Sequence, residues 1–315
     1  MNVIVLLLVV WIFWTCLCYV KEKMKSTKKL EKSSAPSRQK WAIFTQVHKP
    51  QEFSKWLDWH LNLHPHKIWV TVENDPYLKV MKDPRVIVQY KNPTGGSSWG
   101  TDLDDRKSAN FNQAAEQLRR EGVEWMLTLD DDELLWVNTG RPMDVLNKYP
   151  NDDCLVMKNY EAVFKNINEQ GKCFAPDTRF VDCNKGKCLG YTNGKSWGRI
   201  QQPGVQQHGA HRFKDQRGKC VKDRYIPSTE MCILHYESCN FDKWMDKFKK
   251  LSKDMSSQIN FTNFKGTQEE YLKKVFPYYY KSIKQIGDIK DENKLKEFYK
   301  THKTQQWANA KQIII

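Results

Sequence analysis

Apolar positions fall into short continuous runs, with segments of helical period between them. Trp41-Ala42-Ile43-Phe44-Thr45-Gln46-Val47, Ile68-Trp69-Val70-Thr71-Val72 and Arg85-Val86-Ile87-Val88-Gln89-Tyr90 each predict a strand. Between the first two, residues Gln51 to Leu63 place Phe53, Trp56, Leu57, His60 and Leu61 on one helical face, which His64 extends. A Gly/Ser loop from Asn92 to Gly100 leads into a second helix over 103–120, with Phe111, Ala114, Ala115 and Leu118 inward and Gly122 as its stop. Trp125 to Leu129, Cys154 to Met157 and Met231 to Tyr236 add strands. The β-α-β-β-α-β order predicts an α/β fold with a largely parallel sheet flanked by helices. The stretch from Asn159 to Gln216 reads as long and irregular. From Phe241 onward the chain is polar and helical, with Trp244, Phe248 and Leu251 as its apolar stripe. No internal repeat occurs.

One interruption of this pattern carries chemistry. The strand Trp125 to Leu129 runs directly into Asp130-Asp131-Asp132-Glu133, and Leu134-Leu135-Trp136-Val137 follows. Adjacent carboxylates between two hydrophobic runs repel one another unless something compensates them. A hard divalent cation, Mn²⁺ or Mg²⁺, is the usual compensation, and the C-terminal end of a strand in an α/β sheet is the usual ligand position. The bland alternative is a solvated acidic turn, which leaves the apolar walls unexplained. His60 and His64 stand four apart, a metal-compatible spacing, but they lack an acidic partner and read more simply as packed helix residues.

Composition and charge refine the picture. The chain has 315 residues, enough for one large α/β domain, and its 12 tryptophans suit core filling or a flat wall for sugars or bases. Val3 to Val20 carries no charge and has no small-residue cleavage site, which predicts an uncleaved transmembrane anchor over 1–20. A Lys- and Ser-rich stem follows over 21–40. The lysines after the span favour a cytoplasmic domain by the positive-inside rule, whereas the Asn260-Phe261-Thr262 sequon has meaning only on the lumenal side. Orientation therefore stays open, in a single-pass protein of a Golgi- or ER-type membrane. Cys173, Cys183, Cys188 and Cys220 suit either disulfides or a zinc knuckle. The net charge of +14 is spread over the stem and an acid-interleaved C-terminal region, without a nucleic-acid motif, so no nucleic-acid partner is expected.

Taken in order, the helix carrying Trp56 and Trp59-His60, the strand ending at Glu73-Asn74-Asp75, and Trp125-x-x-x-x-Asp130-x-Asp132-Glu133 resemble membrane-anchored GT-A glycosyltransferases. The similar types are the family-2-like and family-92-like enzymes, whose core reads Trp-x-x-x-x-Asp-x-Asp-Glu. Gly194-Lys195-Ser196, the His208/His211 pair and Leu234-His235-Tyr236 before a basic helix look like that family's C-terminal half. The resemblance implies a Rossmann-like GT-A domain over 41–255, with 256–315 as a polar helical extension. It implies a nucleotide-sugar donor, with Asp130 on the ribose, Asn74 and Asp75 nearby, and Lys195, Arg199 and Arg212 toward phosphate. It implies that Asp132 holds Mn²⁺ or Mg²⁺, with His211 as first choice and His235 as second for the histidine that completes the shell. The acceptor would be a glycan, glycoprotein or glycolipid. Glu161, Asp177 and Asp223 are the candidates for a catalytic base. Asp131 is an extra aspartate relative to the pattern, and 171–190 is an insertion without a counterpart. A metal-dependent nucleotidyl- or phosphotransferase could use the same carboxylates, and a non-catalytic, membrane-tethered carbohydrate-binding protein is the rival outside enzymology.

Overall fold

The computed structural model describes residues 39–92, 102–165, 173–175, 178–183, 188, 190–215, 218, 224–261, 264–304 and 310. The expected anchor and nearly all of the stem lie outside these residues. Among the described residues no helix is long and apolar enough to cross a membrane.

The first half folds as its periodicity predicts. β1 (Lys40–Val47), α1 (Phe53–Asn62), β2 (Lys67–Glu73), β3 (Val86–Lys91), α2 (Asp102–Arg120) and β4 (Val123–Leu129) follow one another. β1, β2, β3 and β4 are mutually parallel in the order β3-β2-β1-β4. Alternate residues of these strands face two different cores. Trp41, Ile43, Val70, Val72, Leu127 and Leu129 pack against Phe53, Trp56, Leu57 and Leu61 of α1. Ala42, Phe44, Trp69 and Met126 pack against Phe111, Ala114 and Leu118 of α2. Both faces are covered, which is why the strands read as continuous apolar runs rather than alternating ones.

The second half differs from the expected parallel sheet. After β5 (Glu133–Val137), α3 (Pro142–Leu146) and β6 (Cys154–Met157), the segment read as irregular supplies five strands. These are β7 (Asn159–Val163), β8 (Arg179–Asp182), β9 (Lys195–Arg199), β10 (Gln206–His208) and β11 (Arg212–Lys214). β9 inserts antiparallel between β4 and β6 and completes a mixed six-stranded sheet. A second, four-stranded sheet has the order β5-β12-β7-β8, with β12 (Met231–His235) at its centre. These strands are three to five residues long and rich in charged and polar residues, so no apolar run marked them. In Lys195–Arg199, Trp197 is buried between neighbouring strands, and Gly198 makes room for the Phe213 ring, 2.5 Å from where a Cβ would stand.

The C-terminal part comprises α4 (Phe241–Lys253), the hairpin β13 (Gln258–Phe261) and β14 (Phe264–Thr267), then α5 (Gln268–Val275), α6 (Pro277–Asp288) and α7 (Glu292–Thr304). Phe241, Trp244, Phe248 and Leu251 of α4 share one aromatic cluster with Leu272, Tyr278, Tyr279, Ile283, Leu295 and Tyr299. That cluster spans the boundary expected at residue 255. Asn260 lies on β13, and Thr262 of its sequon is outside the described residues.

The cysteines that suited either disulfides or zinc form two disulfides, Cys173–Cys239 and Cys183–Cys188, while Cys154 and Cys232 are free and buried. Cys220 lies outside the described residues.

Candidate active site

The acidic run is a tight turn between β4 and β5. Glu133 N donates to Asp130 O at 3.2 Å, and Asp130 N donates to the Glu133 carboxylate at 2.8 Å. Trp56 of α1 donates its indole N–H to Glu133 O at 2.7 Å and to Asp130 O at 3.1 Å, holding the turn from beneath. His60, one helical turn further on, accepts from Leu135 N at 3.1 Å through Nε2 while its Nδ1 bonds Trp56 O at 2.8 Å. This geometry fixes His60 as a neutral, packed residue, and burial lowers its pKa to about 3. His60 is no metal ligand.

The turn splays the four carboxylates in different directions, so a cation is not needed to compensate all of them. Asp130 points to Lys107 of α2 and to Lys195 of β9, the latter at 2.6 Å. Burial alone would raise the pKa of Asp130, but the two ammonium groups hold it well below the usual carboxylate range. Glu133 is fully buried, accepts from the Tyr191 hydroxyl, and lies 3.3 Å from Lys195. Lys195 is placed there by Gly194, whose φ of +66° and 1.9 Å virtual-Cβ contact with Met157 O admit no side chain. Asp131 pairs with Lys243 of α4 at 2.8 Å.

Asp132 has no lysine partner among the described residues. Its carboxylate stands 3.8 Å from His235 Nε2, and its backbone oxygen accepts from Tyr236 N at 2.8 Å. Burial raises its pKa to about 6, against the pull of His235 and Lys243. His235, at the end of β12, has Glu161 of β7 3.0 Å from Nδ1 and Glu237 3.6 Å from Nε2. Burial would lower the pKa of His235, but Glu161, Asp132 and Glu237 together raise it to about 9. Gly190 permits this packing, since a Cβ there would meet Glu161 and His235 at 2.9 Å.

Asp132, His235 and Glu237 bring their ligand atoms within 4.8 Å of one another. Glu237 is already saturated: Lys247 reaches both of its oxygens at 2.8 Å, Tyr279 donates at 2.7 Å, and Ser238 donates as well. Burial opposes its charge, but Lys247, His235 and Lys303 hold Glu237 strongly ionised. Lys303 of α7, itself buried, donates to Glu237 O.

A divalent cation is tested best against Asp132 and His235. Two ligands of one small cation, each about 2.0–2.1 Å from it, stand roughly 3–4 Å apart, which brackets the observed 3.8 Å. Glu161 supplies the second observation. Its Oε2 faces His235 Nδ1, the partner a metal-binding imidazole needs to present Nε2, and its Oε1 is buried without a hydrogen bond. Carboxylate oxygen with one imidazole suits Mn²⁺. A second group, Glu161 with Cys183 and Cys188, has comparable spacing, but its two sulfurs are spent on each other in a disulfide.

The structure gathers only some of the residues the sequence singled out. Asp130, Lys195, Asp132, His235 and Glu161 converge. The Tyr191 ring touches both His211 and His235, at centroid distances of 4.5 and 4.8 Å, and His211 Nδ1 bonds Gly194 O at 2.8 Å. Burial and Lys195 hold it neutral. Arg199 sits at the far end of β9, opposite Trp125, occupied by Glu124 at 3.2 Å and Tyr149 O at 2.9 Å. Arg212 donates to His211 O at 3.1 Å. Asn74 and Asp75 follow β2 at the same sheet edge as Asp130, with Asn74 exposed and in the left-handed region at φ 53°. Glu161 is buried against His235 Nδ1 at 3.0 Å; Asp177 and Asp223 lie outside the described residues.

Sequence reasoning missed Glu237, Lys107, Lys243, Lys247, Tyr191, Tyr279 and Lys303. Two signals were available. Glu237 follows His235 by two, hence shares its face in an extended chain, and Lys243 and Lys247 are four apart on one helix face.

No family model matches the sequence, and no curated protein matches it. Among solved structures the chain is similar to S. aureus TarS 1-349 in complex with UDP-GlcNAc, at 10% identity and a TM-score of 0.33. The match covers 68% of this chain and 65% of that one.

Proposed function

We propose that this chain is a divalent-cation-dependent glycosyltransferase that moves a sugar from a nucleotide-sugar donor to a glycan, glycoprotein or glycolipid acceptor. The observation that carries the reading is the Asp132–His235 pair, backed by Glu161, at the C-terminal end of a parallel strand where α/β folds bind ligands. Asp132 and His235 would hold Mn²⁺ or Mg²⁺. Bound there, the ion supplies Lewis-acid stabilisation to the nucleoside diphosphate as it leaves.

The protein's own groups prepare that chemistry. Glu161 accepts the hydrogen bond from His235 Nδ1–H and so aims Nε2 into the site. Lys107 and Lys195 keep Asp130 ionised and still, in position to accept from ribose hydroxyls. Glu237 stays an anion because Lys247, Tyr279 and Lys303 converge on it, and it fixes the strand end on which His235 sits. The two disulfides support an oxidising compartment for the domain, the side on which the Asn260 sequon would have meaning.

The test is a donor-hydrolysis screen across nucleotide sugars with Mn²⁺ and with chelator. Cation-dependent release of nucleoside diphosphate and free sugar is the expected result. Release of pyrophosphate or nucleoside monophosphate would assign the site to nucleotidyl or phosphoryl transfer instead. Chelator-resistant glycan binding without turnover would remove the enzyme reading altogether.

A further inference from the structure

Asp131 is the aspartate in excess of the motif, and the cation site gives it no task. Its carboxylate points to α4, where Lys243 Nζ lies 2.8 Å away. The base of Lys243 is firmly fixed. Asn240 caps the helix by accepting from Lys243 N at 2.8 Å, and it also donates to Gln51, while neighbouring Cys239 is bonded to Cys173. The end of the side chain is not fixed in the same way. Among the described residues Asp131 is its hydrogen-bond partner, and the Lys243 side chain keeps 22% of its exposure.

The other lysines of the site are committed. Lys195 is fully buried and reaches Asp130, Glu133 and Ala210 O. Lys247 spans both oxygens of Glu237 and the Tyr279 hydroxyl. Lys303 is buried against Glu237 O. Of these four, Lys243 is the one whose ammonium is held, among the described residues, by a single carboxylate that the cation site does not use.

We propose that Lys243 is a diphosphate-binding cation held on Asp131, which exchanges that carboxylate for a phosphoryl oxygen when the donor arrives. The inference rests on the reading of Asp132 and His235 as the cation site, and it gives the supernumerary aspartate a role. A diphosphate offers the same ammonium more charge and several acceptor oxygens where Asp131 offers one carboxylate. Asp131 thus competes with the ligand and keeps Lys243 from folding onto Asp132.

The experiment is calorimetric titration of the full chain with inorganic pyrophosphate in Mn²⁺, with Mn²⁺ binding measured separately and folding checked by circular dichroism. Lys243→Met should weaken pyrophosphate binding by about 10- to 100-fold, the loss of one hydrogen-bonded charge contact, and leave Mn²⁺ binding in place. Lys243→Arg should restore most of the affinity. Asp131→Asn should bind pyrophosphate at least as tightly as the parent, because the competitor is gone. Unchanged binding in folded Lys243→Met overturns the proposal. So does a loss in Asp131→Asn equal to that in Lys243→Met, or no pyrophosphate binding by the parent. If Lys243→Met does not fold, Lys243→Gln takes its place and is judged by the same loss of pyrophosphate affinity. Lys243-dependent pyrophosphate binding without any nucleotide-sugar turnover would leave this site standing and remove only the glycosyltransferase reading.

Discussion

The two ends of the β4–β5 turn use the same residue type for opposite purposes. Asp130 and Glu133 are locked by Lys107, Lys195, Tyr191 and the Trp56 indole, with every charge answered inside the protein. Asp132 has, as its ion-pair partner among the described residues, a histidine at 3.8 Å, and that histidine is backed by another carboxylate. The histidines on the two sides shift in opposite directions as well: His60 behind the locked end is pressed down to about 3, and His235 at the open end is lifted to about 9. Carboxylates already neutralised by lysines build the frame. The one left to a histidine is where an external cation has something to add.

Breaking the locked end should be the costliest change. Lys195→Met leaves Glu133 and Asp130 facing each other with one ammonium removed, in a place where Glu133 has no exposure. Removing one partner of a buried pair costs about 3–5 kcal/mol, and urea denaturation should show a loss of that size. A loss under about 1 kcal/mol, the range of a surface pair, would erase the distinction between the two ends.

Asp132→Asn should act on the open end in the opposite sense. Turnover with Mn²⁺ should fall by about a hundredfold or more, equivalent to about 2.7 kcal/mol of transition-state stabilisation. The melting temperature should not fall, because burial makes the ionised carboxylate a burden at neutral pH. Steady-state kinetics and a thermal melt on the same preparation test both halves of the statement.

The smallest effect, per unit of change, is the pH response of the histidines. His60 has a folded pKa below its unfolded value, so its contribution is fully present above about pH 6.5 and is lost as pH falls toward 3. The loss approaches about 1.4 kcal/mol per pH unit. His235 runs the other way in metal-free protein: its contribution is present below about pH 6.5 and disappears as pH rises through about 9. Urea midpoints from pH 7 to 4.5, in chelator, should therefore fall more shallowly in His60→Gln than in the parent.

The locked and open ends were not equally legible. β1 to β4 and α1 to α2 could be read from apolar runs and helical spacing because tertiary packing agrees with local pattern there. Asp132 and His235 could be placed through the motif and its resemblance. β7 to β11 could not, since strands of three to five residues carrying Lys, Arg and Gly leave no periodic trace, and their pairing is set by the neighbours they join. Tyr191, whose ring contacts both His211 and His235, left no trace in the sequence. The argument that four carboxylates need one cation overlooked lysines from α2, β9 and α4, contributed by positions 107, 195 and 243, too far apart in sequence for any local pattern to join.

Lys303 has a consequence for how the molecule comes into being. Its ammonium closes on the backbone of Glu237, and Tyr279 closes on the carboxylate of the same residue. A nascent chain emerges from its N-terminal end, so the strands bearing Asp132 and His235 are synthesised well before either partner. Until α6 and α7 have left the ribosome, Glu237 has Lys247 and His235 but neither Tyr279 nor Lys303 to answer its charge. The site is therefore completed late, and a message interrupted between residues 255 and 278 would leave Glu237 without both of these partners.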